Sequence, residues 1–151
     1  MFWPVYGFFF LLAERLWIRE TYTPVQCPLD DQIPFCEYFL IPYLLWFVFL
    51  IGIQIYTLLY DTESFIKFMK FIMVSYSLAV IIYMLFPNCQ ELRPVVFERD
   101  NLFTKFLEGF YQFDTNTNVC PSIHVIGSVA VMICGWNCKS LNTPGWRIFL
   151  G

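Results

Sequence analysis

The chain has 151 residues, 58% hydrophobic and 21% aromatic but only 14% charged, with a net charge of −3 and a mean hydropathy of +0.59. A soluble domain is roughly half apolar and a quarter charged, and eighteen Phe, nine Tyr and five Trp present more apolar surface than a core of this size can hide. The scattered basic residues form no stripe to neutralise a nucleic-acid backbone, which excludes that class of partner, and the balance points to a bilayer as the solvent.

Met1 to Ala13 is apolar and aromatic until Glu14, Arg15, Arg19 and Glu20 interrupt. At ~1.5 Å per residue such a helix covers only ~20 Å of a ~30 Å hydrocarbon core. It is therefore expected to run on to about Ile18, or to have lost its start. A basic beginning and an Ala-x-Ala cleavage site, the marks of a signal peptide, are both missing. Thr21 to Glu37 reads as a loop with Pro24, Pro28 and Pro34. Tyr38 to Tyr60 carries no charge at all and is long enough to span with some tilt. Asp61 to Lys70 reads as a short polar loop, and Phe71 to Phe86 as a second span ended by Pro87. The stems of Lys67 and Lys70 can snorkel beside it.

Asn88 to Val119 is the longest polar stretch. Inside it Leu102, Phe103, Phe106, Leu107 and Phe110 recur at helical spacing, which predicts a short amphipathic helix lying in the interface or packed on the bundle. Pro121 to Trp136 is a further clean apolar run. After a turn over Asn137 to Thr143, Trp146, Ile148, Phe149 and Leu150 open another apolar segment that stops at Gly151. A membrane helix needs its backbone groups satisfied along its length, so the chain is expected to be incomplete at its C-terminus. The fold expected is all-α: a single polytopic transmembrane helix bundle over residues 1–151, with about four spans and the start of a fifth.

Lys67, Lys70, Lys139 and Arg147 crowd two short loops on one side. The loops on the other side hold Arg15, Arg19, Arg93, Arg99, Lys105 and every acid except Asp61 and Glu63. The denser basic side is predicted to be cytoplasmic, which makes loop 88–119 extracytoplasmic. Cys27, Cys36, Cys89 and Cys120 lie in polar loops and Cys134 and Cys138 at a helix end. No CxxC occurs, which argues against a redox dithiol or a zinc ribbon and leaves a loop disulfide open.

His124 is the only histidine. It stands in Cys120-Pro121-Ser122-Ile123-His124, where a polar loop turns into an apolar helix. Pro121 suits the first helical turn, with Asn118 or Cys120 as cap. The free N–H groups and positive dipole end of that helix form a ready anion site. Ser122 adds a hydroxyl, and His124 is expected one turn in. Its face continues through the small residues Gly127 and Ser128 to Val131 and Gly135, which packs against a neighbouring helix. Arg93, stiffened by Pro94, supplies a planar fork that grips phosphate oxygens in pairs. An imidazole with its ordinary pKa of ~6.5 can protonate a departing alkoxide. Plainer roles exist for each: a hydrogen-bonding belt histidine, an Arg93–Glu91 pair, an ordinary cap. Cys120 and His124 could also hold a metal with Cys89 or Cys36, although no second ligand pair has suitable spacing.

Arg93-Pro94 followed by Pro121-Ser122-Ile123-His124 opening a helix resembles the type-2 phosphatidic acid phosphatase superfamily of membrane lipid phosphatases. That family carries Lys, six residues, Arg-Pro; then Pro-Ser-Gly-His; then Ser-Arg, five residues, His, three residues, Asp. The likeness covers about Tyr83 to Val131, and Ile123 in the Gly position is similar to the branch containing inositol phosphorylceramide synthases. It implies that Arg93 and Ser122 hold phosphate, that His124 protonates the leaving group, and that no metal or cofactor is needed. It also implies a second histidine as nucleophile. Phe86 stands where the family has Lys, and the third motif is absent from these residues. The expected function is a membrane phosphatase acting on phosphatidate or a polyprenyl diphosphate, inactive in this form for want of the nucleophile. The alternatives are head-group transfer, or a non-catalytic membrane protein that binds anionic lipid or a partner. The partners expected are the bilayer and a phosphorylated lipid, with homo-oligomerisation left open.

Overall fold

The computed structural model describes residues 2–16, 21–94, 97, 99–138 and 141–145. The expected helix end near Ile18 and the apolar segment from Trp146 to Leu150 lie outside the described residues, as do Arg19, Lys139 and Arg147 of the charge comparison. Among the described residues the fold is all-α apart from one pair of two-residue strands. Helix α1 is Phe2–Leu11 and passes into a π-helical turn, Leu12–Leu16. Helix α2 is Leu40–Tyr60, α3 is Thr62–Leu85, α4 is Leu102–Phe113 and α5 is Ile123–Asn137.

A 3₁₀ turn, Glu37–Phe39, leads straight into α2. No charge interrupts α2, and Ile41, Leu45, Val48, Ile51, Ile55 and Leu59 all remain exposed on it. Asp61 alone links it to α3. Here the structure corrects the sequence reading, because the polar stretch Asp61–Lys70 is not a loop but the opening turns of α3. The Asp61 carboxylate accepts from the Ser64 N–H at 3.1 Å and from the Ser64 hydroxyl at 2.9 Å, which caps the new helix. Glu63 and Lys67 then pair across one turn at 2.7 Å. Two helices, Glu37–Tyr60 and Thr62–Leu85, are long and apolar enough to cross a membrane, by length and composition; α5 is apolar but shorter.

The chain forms two compact units, residues 1–42 with 79–121, and residues 43–78 with 122–151. In the first, strand β1 (Thr23–Pro24) lies parallel to β2 (Asn88–Cys89), with Thr23 opposite Asn88 and Pro24 opposite Cys89. Cys89 also bridges antiparallel to Thr117, and Asn118 N–H donates to the Asn88 carbonyl at 2.6 Å. The two loops expected to be irregular thus satisfy part of their backbone through each other. Asn101 and Thr104 cap α4 reciprocally, side chain to backbone in both directions. Leu107 is buried on α4, while Leu102 and Phe106 remain exposed.

In the second unit the buried face of α3 includes Phe68, Ile72 and Tyr76, at successive four-residue steps. Gly127, Ala130, Val131, Cys134 and Gly135 are buried on α5. The tightest approach is at Gly127, where a Cβ would stand 2.5 Å from Trp46 Cζ2 and 2.9 Å from the Tyr76 hydroxyl. Both distances are inside van der Waals contact, so only glycine fits there without movement. Gly127→Ala is expected to cost ~1–3 kcal/mol, the usual toll of overpacking. Urea unfolding of the detergent-solubilised chain, followed by Trp fluorescence, measures it; Gly52→Ala, where a Cβ meets nothing within 4 Å, serves as control.

Candidate functional site

Ser122 and His124 share the start of α5. Ser122 is the N-cap of the helix, with extended backbone and its Oγ accepting from the Val125 N–H at 3.3 Å. Pro121 therefore precedes the cap and does not occupy the first helical turn, and neither Asn118 nor Cys120 caps. The reason is local: a hydroxyl one residue before the first helical residue can reach the third N–H, which a thiol two residues further back cannot match. His124 is then the second helical residue, nearer the dipole-positive tip than expected.

The His124 ring lies among aromatic side chains of α2. Its centroid is 4.4 Å from Trp46, 4.7 Å from Tyr43 and 5.9 Å from Phe47. Tyr43, Trp46 and Phe47 recur at helical spacing, which puts them on one face of α2. Ser128, one turn on from His124, donates to the His124 carbonyl at 2.9 Å and accepts from Trp46 Nε1 at 3.1 Å. Tyr76 on α3 donates to the Ile123 carbonyl at 3.3 Å. The imidazole thus packs against one face of α2, and the carbonyls of Ile123 and His124 are held by Tyr76 and Ser128. A separate apolar cavity of about 320 Å³ lies along the same unit, lined in part by Val48, Gly52, Tyr56 and Val131.

Arg93 belongs to the first unit. Its guanidinium donates to the Asp114 carbonyl, to Asp114 Oδ2 at 3.0 Å and to the Thr115 carbonyl at 2.8 Å. It also lies over the Tyr111 ring, 4.3 Å from the centroid. Burial raises the Tyr111 phenol, which Arg93 opposes and Asp114 reinforces. Arg93 therefore fastens the turn after α4, an anchoring role that its place beside Pro94 in the sequence does not reveal. The Glu91 alternative is not the pairing seen.

The loop ahead of Pro121 is held by a residue that sequence reasoning passed over. Asn88 is buried and takes Cys120 from both sides: its Oδ1 accepts from the Cys120 N–H at 2.8 Å and its Nδ2 donates to the Cys120 carbonyl at 2.7 Å. Tyr83, also buried, donates to the Pro121 carbonyl. No local pattern marks Asn88, because its partners are supplied by a segment far along the chain. Burial, and secondarily Glu91, pushes the Cys89 thiol up, so it is a poor metal ligand or nucleophile at neutral pH. Among the described residues no three His, Cys, Asp or Glu side chains are grouped to hold a metal ion.

Comparison with models of known protein families, with curated proteins and with solved structures gives no match. The site's chemistry must be argued from its own residues. Asn88→Ala removes both hydrogen bonds to Cys120 and, at ~0.5–1.5 kcal/mol each, is expected to destabilise by ~1–3 kcal/mol. Hydrogen exchange should show the loss concentrated at residues 117–120; uniform loss across the chain would contradict a local tether.

Proposed function

We propose that this chain is a polytopic membrane protein whose α5 N-terminus is the phosphate-handling part of a lipid-phosphate phosphatase or phosphotransferase site. The observation that carries this is the placement of Ser122 as N-cap and His124 as second residue of an apolar helix, with the imidazole held by Tyr43, Trp46 and Phe47. Helix-tip N–H groups attract a phosphate, and an adjacent imidazolium can deliver a proton to a leaving alkoxide. The exposed apolar face of α2 and the two helices of spanning length support placement in a bilayer. The apolar cavity beside Val48 and Val131 offers room for part of a lipid tail. Loop 88–119 faces outward in this reading, and the substrate is a phosphorylated lipid such as phosphatidate or a polyprenyl diphosphate.

Arg93 joins the phosphate in this scheme only by exchanging Asp114 and Thr115 for lipid oxygens. That cost favours a second reading, in which Arg93 is an anchor and the protein binds anionic lipid without catalysis. The nucleophilic histidine that the family resemblance implies has no counterpart here, since His124 is the single histidine.

Two measurements decide between them. Phosphate release from phosphatidate by the purified 151-residue chain is expected to stay at background, because one imidazole cannot be both nucleophile and acid; robust turnover abolished by His124→Ala would overturn this. Phosphatidate binding in nanodiscs is expected to weaken ~10-fold, ~1.4 kcal/mol, in both Ser122→Ala and His124→Ala. Phosphatidate binding that both substitutions leave intact establishes the second reading.

A further inference from the structure

We propose that a second site, in the first unit, takes the zwitterionic head group of a phospholipid: ammonium end on Glu37 and the rings of Phe35 and Phe97, phosphate on Arg99. These side chains, with Pro34, Pro94 and Thr104, line a cavity of about 340 Å³.

The cavity wall carries one charge of each sign, Glu37 and Arg99. Glu37 is only 4% exposed, yet its charged partner, Arg99, is 69% exposed and sits 3.5 Å from Oε1. The same oxygen accepts from Asn101 Nδ2 at 2.9 Å. Its own backbone N–H, the Asn101 amide and Arg99 together hold the carboxylate in place as the negative charge of the cavity wall. An ammonium entering the cavity can take the place of Arg99 beside that carboxylate. Phe35 and Phe97 meet at 5.5 Å with their planes 53° apart, a tilted corner of π-faces suited to a quaternary ammonium. Arg99 is then released to grip phosphate. The exchange is neutral overall: an internal ion pair and a zwitterion become two ion pairs across the interface. A purely anionic head group gains Arg99 but meets the Glu37 carboxylate, so the cavity rejects it.

The cavity also stands at the right level. Glu37 is the first residue of the spanning-length segment Glu37–Tyr60. Tyr38 and Phe39 next to it, and Leu102 at the start of α4, are exposed, as aromatic and apolar side chains are at a membrane–water boundary. The site depends on that membrane placement but not on His124, so the two assignments fail separately.

The test is calorimetric titration of the full chain, in an uncharged maltoside detergent, with dihexanoyl phosphatidylcholine, dihexanoyl phosphatidylglycerol and glycerophosphocholine. The choline lipid is expected to bind at least ~10-fold more tightly than the glycerol lipid. Arg99→Ala and Phe97→Ala should each weaken the choline lipid ~10-fold, with His124→Ala without effect. Should Glu37→Gln fail to fold, the solvent-exposed Arg99→Ala still decides the matter. Equal affinity for the two lipids, or choline-lipid affinity untouched by Arg99→Ala, overturns the proposal. Glycerophosphocholine binding as tightly as the lipid keeps the zwitterion chemistry and assigns it to a soluble ligand instead of the bilayer. Replacing the choline lipid by its ethanolamine counterpart separates π-face recognition from simple ion pairing, since loss of affinity is expected only for the former.

Discussion

Close approach of α5 to its neighbours in the second unit depends on a missing side chain. At Gly127 the Trp46 indole and the Tyr76 hydroxyl occupy the space a methyl group would need. Everything at the tip of α5 inherits its position from that contact. Trp46 reaches Ser128 through Nε1, Tyr76 reaches the Ile123 carbonyl, and the His124 ring settles among Tyr43, Trp46 and Phe47. The same indole that forbids a side chain at 127 forms a wall for the imidazole, so packing and chemistry are linked through one residue. Because interiors are close-packed, such a contact is either made or lost and has little room to loosen gradually.

The first unit is organised by a different rule, the need to satisfy polar groups in irregular backbone. Asn88 serves Cys120, Arg93 serves Asp114 and Thr115, and Asn101 serves both its own helix and Glu37. These side chains stand where backbone ladders would stand in a regular sheet. A guanidinium spent in this way is a poor candidate for simultaneous ligand binding. Arg99 differs: among the described residues its charged contact, with Glu37, is long and its side chain is solvated. Of Arg93 and Arg99, the one outside the Arg93-Pro94 motif is the better placed to change partners.

How much of this was legible depended on how local the cause was. Helix α2 could be read because its uncharged run is its own signal, and α4 because Leu102, Phe103, Phe106, Leu107 and Phe110 lie on one arc. The start of α3 was misread because Glu63, Lys67 and Lys70 look like loop residues until Asp61 is recognised as their cap. The cap expected at Asn118 or Cys120 stands instead at Ser122, and that shift of two residues or more brings His124 to the helix tip. The aromatic surround of His124 was written in the spacing of Tyr43, Trp46 and Phe47, but only a neighbouring helix gives that spacing meaning. Nothing local betrays the Asn88–Cys120 tether or the pairing of Thr23–Pro24 with Asn88–Cys89, since two residues carry no periodicity.

That short parallel pair has a consequence for how the molecule is assembled. The whole of α2 and α3 lies between its strands, so closing it means bringing together ends separated by two complete helices. The entropy of that closure is met only once the intervening chain has shortened itself by coiling. Two hydrogen bonds, Thr23 to Pro87 and Val25 to Cys89, cannot nucleate such an event. They are expected to fasten late, as a clasp closed after the helical excursion has returned.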